Sequence, residues 1–219
     1  MKNISSCARA ARTGGRLACG LLLAGLLSAC AGLVDKPVGR TLYDFGPVTA
    51  APARGGSQPA IVLADLDASG TLDGAAVLYR LGYADAHQLR PYAQARWGAP
   101  PPQLVRQRLR EQLGQDRVVL NPGESAALAR AGGVLPRVLR IELEEFAQYF
   151  ESPAQSVGMV RLRATLLENT IAGEKLLAQR TFAVQRPAPT ADAPGGVRAL
   201  TAATDAAAQE IGQWLQQTR

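Results

Sequence analysis

The stretch RVLRIELEEF, residues 137–146, decides the fold. In it Leu139, Ile141 and Leu143 alternate with Arg140, Glu142 and Glu144. A period of two puts one set on each face of an extended strand, so the spacing predicts a strand buried on one side only. The phase slips at Glu144-Glu145, where two acids stand together before Phe146. One extra residue in a β-bulge restores it.

Toward the C-terminus the same pattern recurs. Val160, Leu162, Ala164 and Leu166 alternate with Arg161, Arg163 and Thr165. Ala172-Gly173 reads as a turn, and residues 177–184 as a returning strand. The three strands form an antiparallel meander. Its polar face brings Glu142 and Glu144 beside Arg161 and Arg163, in cross-strand pairs worth about 0.2–1 kcal/mol each. After a loop at 187–196, Val197, Leu200, Thr204, Ala207, Ala208, Ile211 and Leu215 recur every three or four residues. That is a long amphipathic helix with Trp214 near its end, and its alanine-rich face suits close packing on a sheet.

Toward the N-terminus, residues 124–130 read as a brief helix before Gly132-Gly133, and residues 117–120 as a short strand ended by Asn121-Pro122-Gly123. Pro100-Pro101-Pro102 opens a helix, because proline lacks an N–H that the first turn leaves unbonded anyway. Leu104, Val105, Leu109 and Leu113 fall on one face of it; Arg106, Arg108, Arg110 and Glu111 lie largely off that face. Gly114 is a plausible cap. Residues 60–66, 75–81 and 88–97 read as strands, with turn chemistry at Asp67-Ala68-Ser69-Gly70 and a polar turn containing His87. Pro91 pushes the third toward a sheet edge, since it cannot donate to a ladder. The order is roughly β-β-β-α-β-β-β-β-α. The fold class is α+β: a mixed, largely antiparallel sheet with two main helices packed on it.

Residues 30–59 carry no such period and are rich in Pro, Gly and Ala, which reads as a tether. Within it Leu42-Tyr43-Asp44-Phe45-Gly46-Pro47 alternates and fits a short edge strand. The α+β domain is therefore expected over 60–219. Residues 1–29 have another character. Lys2, Arg9, Arg12 and Arg16 precede an apolar run at 17–29, with no acid before Asp35. This is the layout of a secretory signal. The run is shorter than the roughly 20 residues that span a bilayer. Its last residues, Leu27-Ser28-Ala29-Cys30, resemble the bacterial lipobox. Cleavage then falls between Ala29 and Cys30, and Cys30 carries the lipid. Cys7 and Cys19 are removed with the signal, so no intramolecular disulfide is expected. Ala31, rather than aspartate, follows the cysteine, which points to the periplasmic face of the outer membrane. Multiple acyl chains make such anchoring stable.

The formal charge of +6 is misleading. Four of the 24 Lys and Arg precede residue 30 and none of the 18 acids does, leaving 20 basic against 18 acidic residues. A balance that even gives no footprint for nucleic acid. No catalytic constellation stands out either. His87 is the single histidine and reads as a solvated turn residue. Asp65, Asp67 and Asp73 lack the spacing of a calcium loop. Glu144 and Glu145, as strand neighbours, point to opposite faces. Gly132-Gly133 lacks the Lys-Ser or Lys-Thr of a phosphate loop. The expectation is a non-enzyme with no metal and no cofactor. What remains is a concentration of aromatic and basic residues: Tyr79, Arg80, Tyr83, Tyr92, Arg96 and Trp97. Packing explains such a set, but Tyr, Trp and Arg also dominate interfaces. Tyr79, Arg80, Tyr92, Arg96 and Trp97 are the candidate partner-binding residues.

These motifs stand in a familiar order: the lipobox, Tyr43-Asp44-Phe45-Gly46-Pro47, Val77-Leu78-Tyr79-Arg80, Tyr92 to Trp97, Pro101-Pro102 and Trp214-Leu215. The chain resembles the ABC-type transport auxiliary lipoprotein family, which includes the lipoprotein of the paraquat-inducible system, over about residues 40–217. The resemblance implies a non-catalytic outer-membrane component of an ABC transport system for lipid or another hydrophobic solute. The partner implied is an MCE-domain protein. It also implies a fold similar to the N-terminal domain of the Tol-system propeller protein, and assembly as a homo-oligomeric ring. Two other readings stay open: a lipoprotein assisting another outer-membrane assembly or a wall synthase, and a periplasmic lipid-binding module.

Overall fold

The computed structural model describes residues 39–47, 58–130 and 135–218. The signal segment, the cleavage site at Ala29 and Cys30, and most of the tether lie outside the described residues. One compact unit spans Arg40–Arg219. Its elements are β1 (Thr41–Tyr43), β2 (Ile61–Leu63), β3 (Asp67–Ala68), β4 (Ala76–Leu81), the single-turn α1 (Gly82–Asp85), β5 (Ala86–Trp97), α2 (Pro101–Leu113), β6 (Val119–Leu120), α3 (Pro122–Arg130), β7 (Arg137–Ser152), β8 (Gln155–Thr170), β9 (Gly173–Pro187) and α4 (Ala193–Gln217).

The sixteen-residue β7 is the spine of a mixed nine-stranded sheet. Along one side it pairs antiparallel with β8, from Val138 opposite Leu167 to Ser152 opposite Gln155, and β8 pairs in turn with β9. This is the expected meander. Along its other side three short strands run parallel to it in succession: β2 against Arg137 to Leu139, β3 against Glu142 and Leu143, and β4 against Gln148 to Phe150. The segment from β2 to β4 thus climbs β7 in steps. β4 pairs antiparallel with β5, and β1 and β6 close the two ends in parallel. The long ladders are antiparallel; the parallel ones are two or three residues long.

The register of β7 against β8 shifts between Leu143 and Glu145. The extra residue keeps Phe146, Gln148 and Phe150 on the buried face with Leu139, Ile141 and Leu143. The charges stay on the open face, and because the bulge breaks the alternation Glu144 and Glu145 lie together on it rather than on the opposite faces expected of strand neighbours. There Arg163 pairs with Glu142 at 3.4 Å and with Glu144, while Arg161 pairs with Glu145 at 3.6 Å rather than with Glu144.

Helices α2 and α4 cover the buried face and pack on each other. α4 lies across β8 and β9. A Cβ on Gly158 would stand 2.5 Å from the backbone of Ala199, so glycine lets the helix approach. Asp192 caps α4, its Oδ1 accepting from Gly195 N at 2.8 Å.

Two expectations are corrected. The folded unit begins before residue 60: β1 pairs with Ala95 to Trp97, and Phe45 packs against the core. A sheet partner and an aromatic anchor hold this segment where composition alone suggests a tether. Arg108, expected off the apolar face of its helix, is 5 % exposed. Its guanidinium lies under the β1 segment, donating to Phe45 O at 2.5 Å, with Asp205 Oδ1 3.5 Å from its Nε and the Phe45 ring 5.7 Å away.

Candidate functional site

β4 and β5 form a hairpin whose register places Tyr79 opposite Arg90 and Arg80 opposite Leu89. Successive side chains on a strand point to opposite faces, and the candidate residues divide accordingly. Tyr79 and Tyr92 come together on the helix side, ring centroids 4.6 Å apart, with Phe150 5.9 Å from Tyr79. The Tyr92 hydroxyl donates to Gln148 Oε1 at 2.8 Å, and Gln148 Nε2 donates to Ser156 Oγ at 2.8 Å. Gln148 is wholly buried, so both ends of its amide need partners there and both have one. Gly196 of α4 lies against the same amide, where a Cβ would collide. Burial, and then the neighbouring Tyr79, push the Tyr92 phenol well above its ordinary value. Held protonated in this way, the hydroxyl keeps the proton it donates to Gln148.

Arg80 points the other way. It donates to Ala86 O and His87 O, both at 3.3 Å, and its Nε lies 3.7 Å from Glu145 Oε1. Glu145 also faces Arg161, so a chain of alternating charge crosses the open face of β4, β7 and β8. A shallow cleft of about 240 Å³ adjoins it, lined by Leu72, Leu89 and the Glu144-Glu145 bulge.

Arg96 is used by its own strand, donating to Tyr92 O at 2.7 Å and Ala95 O at 2.9 Å. Trp97 is 1 % exposed and packs between Phe45 and Phe146, at 5.7 and 5.6 Å. It belongs to the core and cannot present its ring to a partner, which corrects its place among the surface candidates. Tyr83, on α1 at the end of the hairpin, is 49 % exposed. The five candidates therefore do not form one patch. Tyr79 and Tyr92 join an aromatic and amide cluster under α4, Arg80 joins a charged line on the opposite face, Arg96 binds the backbone of its own strand, and Trp97 lies in the core.

The turn between β4 and β5 is α1, and His87 follows it as an exposed residue of β5. Its backbone N–H donates to Asp85 Oδ1 at 2.9 Å. Asp65 lies 3.5 Å from Arg106, while Asp67 is on β3. Among the described residues no group of His, Cys, Asp or Glu is placed to hold a metal ion.

The model of the family described as the ABC-type transport auxiliary lipoprotein component matches residues 42–212. No curated protein matches the chain. The fold is similar to the crystal structure of protein XCC0632 from Xanthomonas campestris, of the DUF330 family. That likeness has a TM-score of 0.62 at 20 % identity, covering 81 % of this chain and 96 % of the other. It is also similar to protein CT253 from Chlamydia trachomatis, with a TM-score of 0.50 at 8 % identity over 74 % of this chain and 98 % of that one.

Proposed function

This chain belongs to the ABC-type transport auxiliary lipoprotein family, and from that premise we propose that it is a non-catalytic subunit docking the MCE component of an ABC transport system for lipids or other hydrophobic solutes. It sits on the periplasmic face of the outer membrane, held by lipid on Cys30. The family match over most of the folded unit carries the reading. The architecture is compatible with it. No helix among the described residues is long and apolar enough to cross a membrane; in this reading the acyl chains on Cys30 supply the attachment. Tyr83 and Arg80 on the hairpin, with Glu145 of β7 beside Arg80, offer contact groups. Among the described residues β9, fifteen residues long, pairs with β8 alone. An open edge of that length is a template for strand addition, and pairing through it would join copies into a ring.

The test is crosslinking of the membrane-anchored protein in intact cells, followed by identification of what it captures, with Cys30→Ala as control. The expected result is an MCE-domain protein, lost when the anchor is removed. Capture of wall enzymes or assembly factors in its place would refute the transport role.

A further inference from the structure

At the end of the sheet where β2 and β7 begin, a cavity of about 740 Å³ opens against the last turn of α4. Ile61, Leu135, Pro136, Leu166 and Leu215 line it with apolar surface. Two arginines share the lining, Arg117 and Arg137. Arg117 is 4 % exposed. Its Nε donates to Asp116 Oδ1 at 3.1 Å, and Asp116 Oδ2 accepts from Gln216 Nε2 at 3.1 Å. Its Nη2 is buried without a hydrogen-bond partner among the described residues. Arg137 uses Nη1 on Thr218 O at 3.0 Å. The acid in the lining is Glu168, whose carboxylate lies 3.9 Å from Lys175 Nζ.

A guanidinium carries five donors in a rigid fork that matches a carboxylate or phosphate. A buried donor left unpaired is unusual enough to need a reason. Here the fork is part-used by Asp116, and a second arginine stands in the same cavity. The volume lies in the range of about 300–1,000 Å³ seen for small-molecule sites. Charged groups beside an apolar wall suit one kind of occupant. We infer that this cavity binds an anionic headgroup, carboxylate or phosphate, carried on an apolar chain, with Arg117 and Arg137 taking the anion and the Ile61–Leu166–Leu215 wall taking the chain. The site does not depend on the docking role and fails or stands separately from it.

The experiment uses the full-length protein in phosphatidylcholine vesicles and a photoreactive diazirine analogue of palmitate, with labelled peptides mapped by mass spectrometry. Saturable labelling at peptides containing Ile61, Leu135 or Leu215 is expected, displaced by palmitate and not by equal inorganic phosphate. Loss of one charge-assisted contact in Arg117→Gln should weaken binding about tenfold. Leu135→Asp should weaken it similarly while leaving the core alone, since Leu135 is at the surface, and it decides the matter if Arg117→Gln fails to fold. Displacement by phosphate as effective as by palmitate would overturn the apolar-chain assignment in favour of a free anion. Labelling that is scattered, or unchanged in the variants, would overturn the site itself.

Discussion

Arg108 does most at the scale of a single residue. It is a charged side chain in the interior, held by backbone carbonyls, an aromatic face and a carboxylate. Asp205 answers it from α4, yet its Oδ1 is buried and receives no well-formed hydrogen bond among the described residues. Burial raises the Asp205 carboxyl, and Arg108 opposes that. A raised folded value means that the protonated form adds stability, fully present below the ordinary carboxylate range and lost as the pH rises through the folded value. Arg108→Ala is therefore expected to cost about 2 kcal/mol at neutral pH. The deficit should shrink in acid, where Asp205 no longer needs a counter-charge. Urea denaturation at two pH values would measure both. A helical wheel does not reveal this arginine, because its partners at Phe45 and Gly46 are more than sixty residues away. The buried guanidinium of Arg117 is equally silent in the sequence.

At the scale of elements, β7 was the most legible, because burial on one face writes itself into every second residue. The bulge was legible for the same reason. Glu144 is the residue without an opposite number on β8. Deleting it leaves Leu143, Glu145 and Phe146 in strict alternation, so the ladder can close as a regular one. Deleting Glu142 instead puts Ile141 and Leu143 side by side and turns one of them to solvent. The expected outcome is that the Glu144 deletion folds and the Glu142 deletion does not, judged by far-ultraviolet circular dichroism and a cooperative melt. Helix α4 was legible from its period, and its start depends on Asp192. The Thr190 hydroxyl and then the Gly195 N–H hold that carboxyl below its usual range. A depressed value contributes stability above the ordinary range that is lost as the pH falls through the folded value. Asp192→Ala should cost about 1 kcal/mol at neutral pH, with the difference from wild type vanishing once Asp192 is protonated. A pH series of melting curves checks it.

For the whole molecule, the contrast lies between near and distant relations in the chain. Sequence alone determined the α+β class, the β7–β8–β9 meander with its bulge, and the two main helices. Each is a repeat over two to four residues, set by strand and helix geometry and by the need to bury one face. It also supplied the family resemblance that residues 42–212 bear out. Tertiary structure decided which strands stack along the far side of β7, that Thr41–Tyr43 joins the sheet, and that Trp97 and Arg108 lie inside. It also gathered Arg117 and Arg137 around one cavity. Such arrangements depend on pairings between segments tens of residues apart, where the gain from burial and hydrogen bonding must exceed the entropy of closing the loop between them. No local period records that balance, so only the folded chain shows which pairings win.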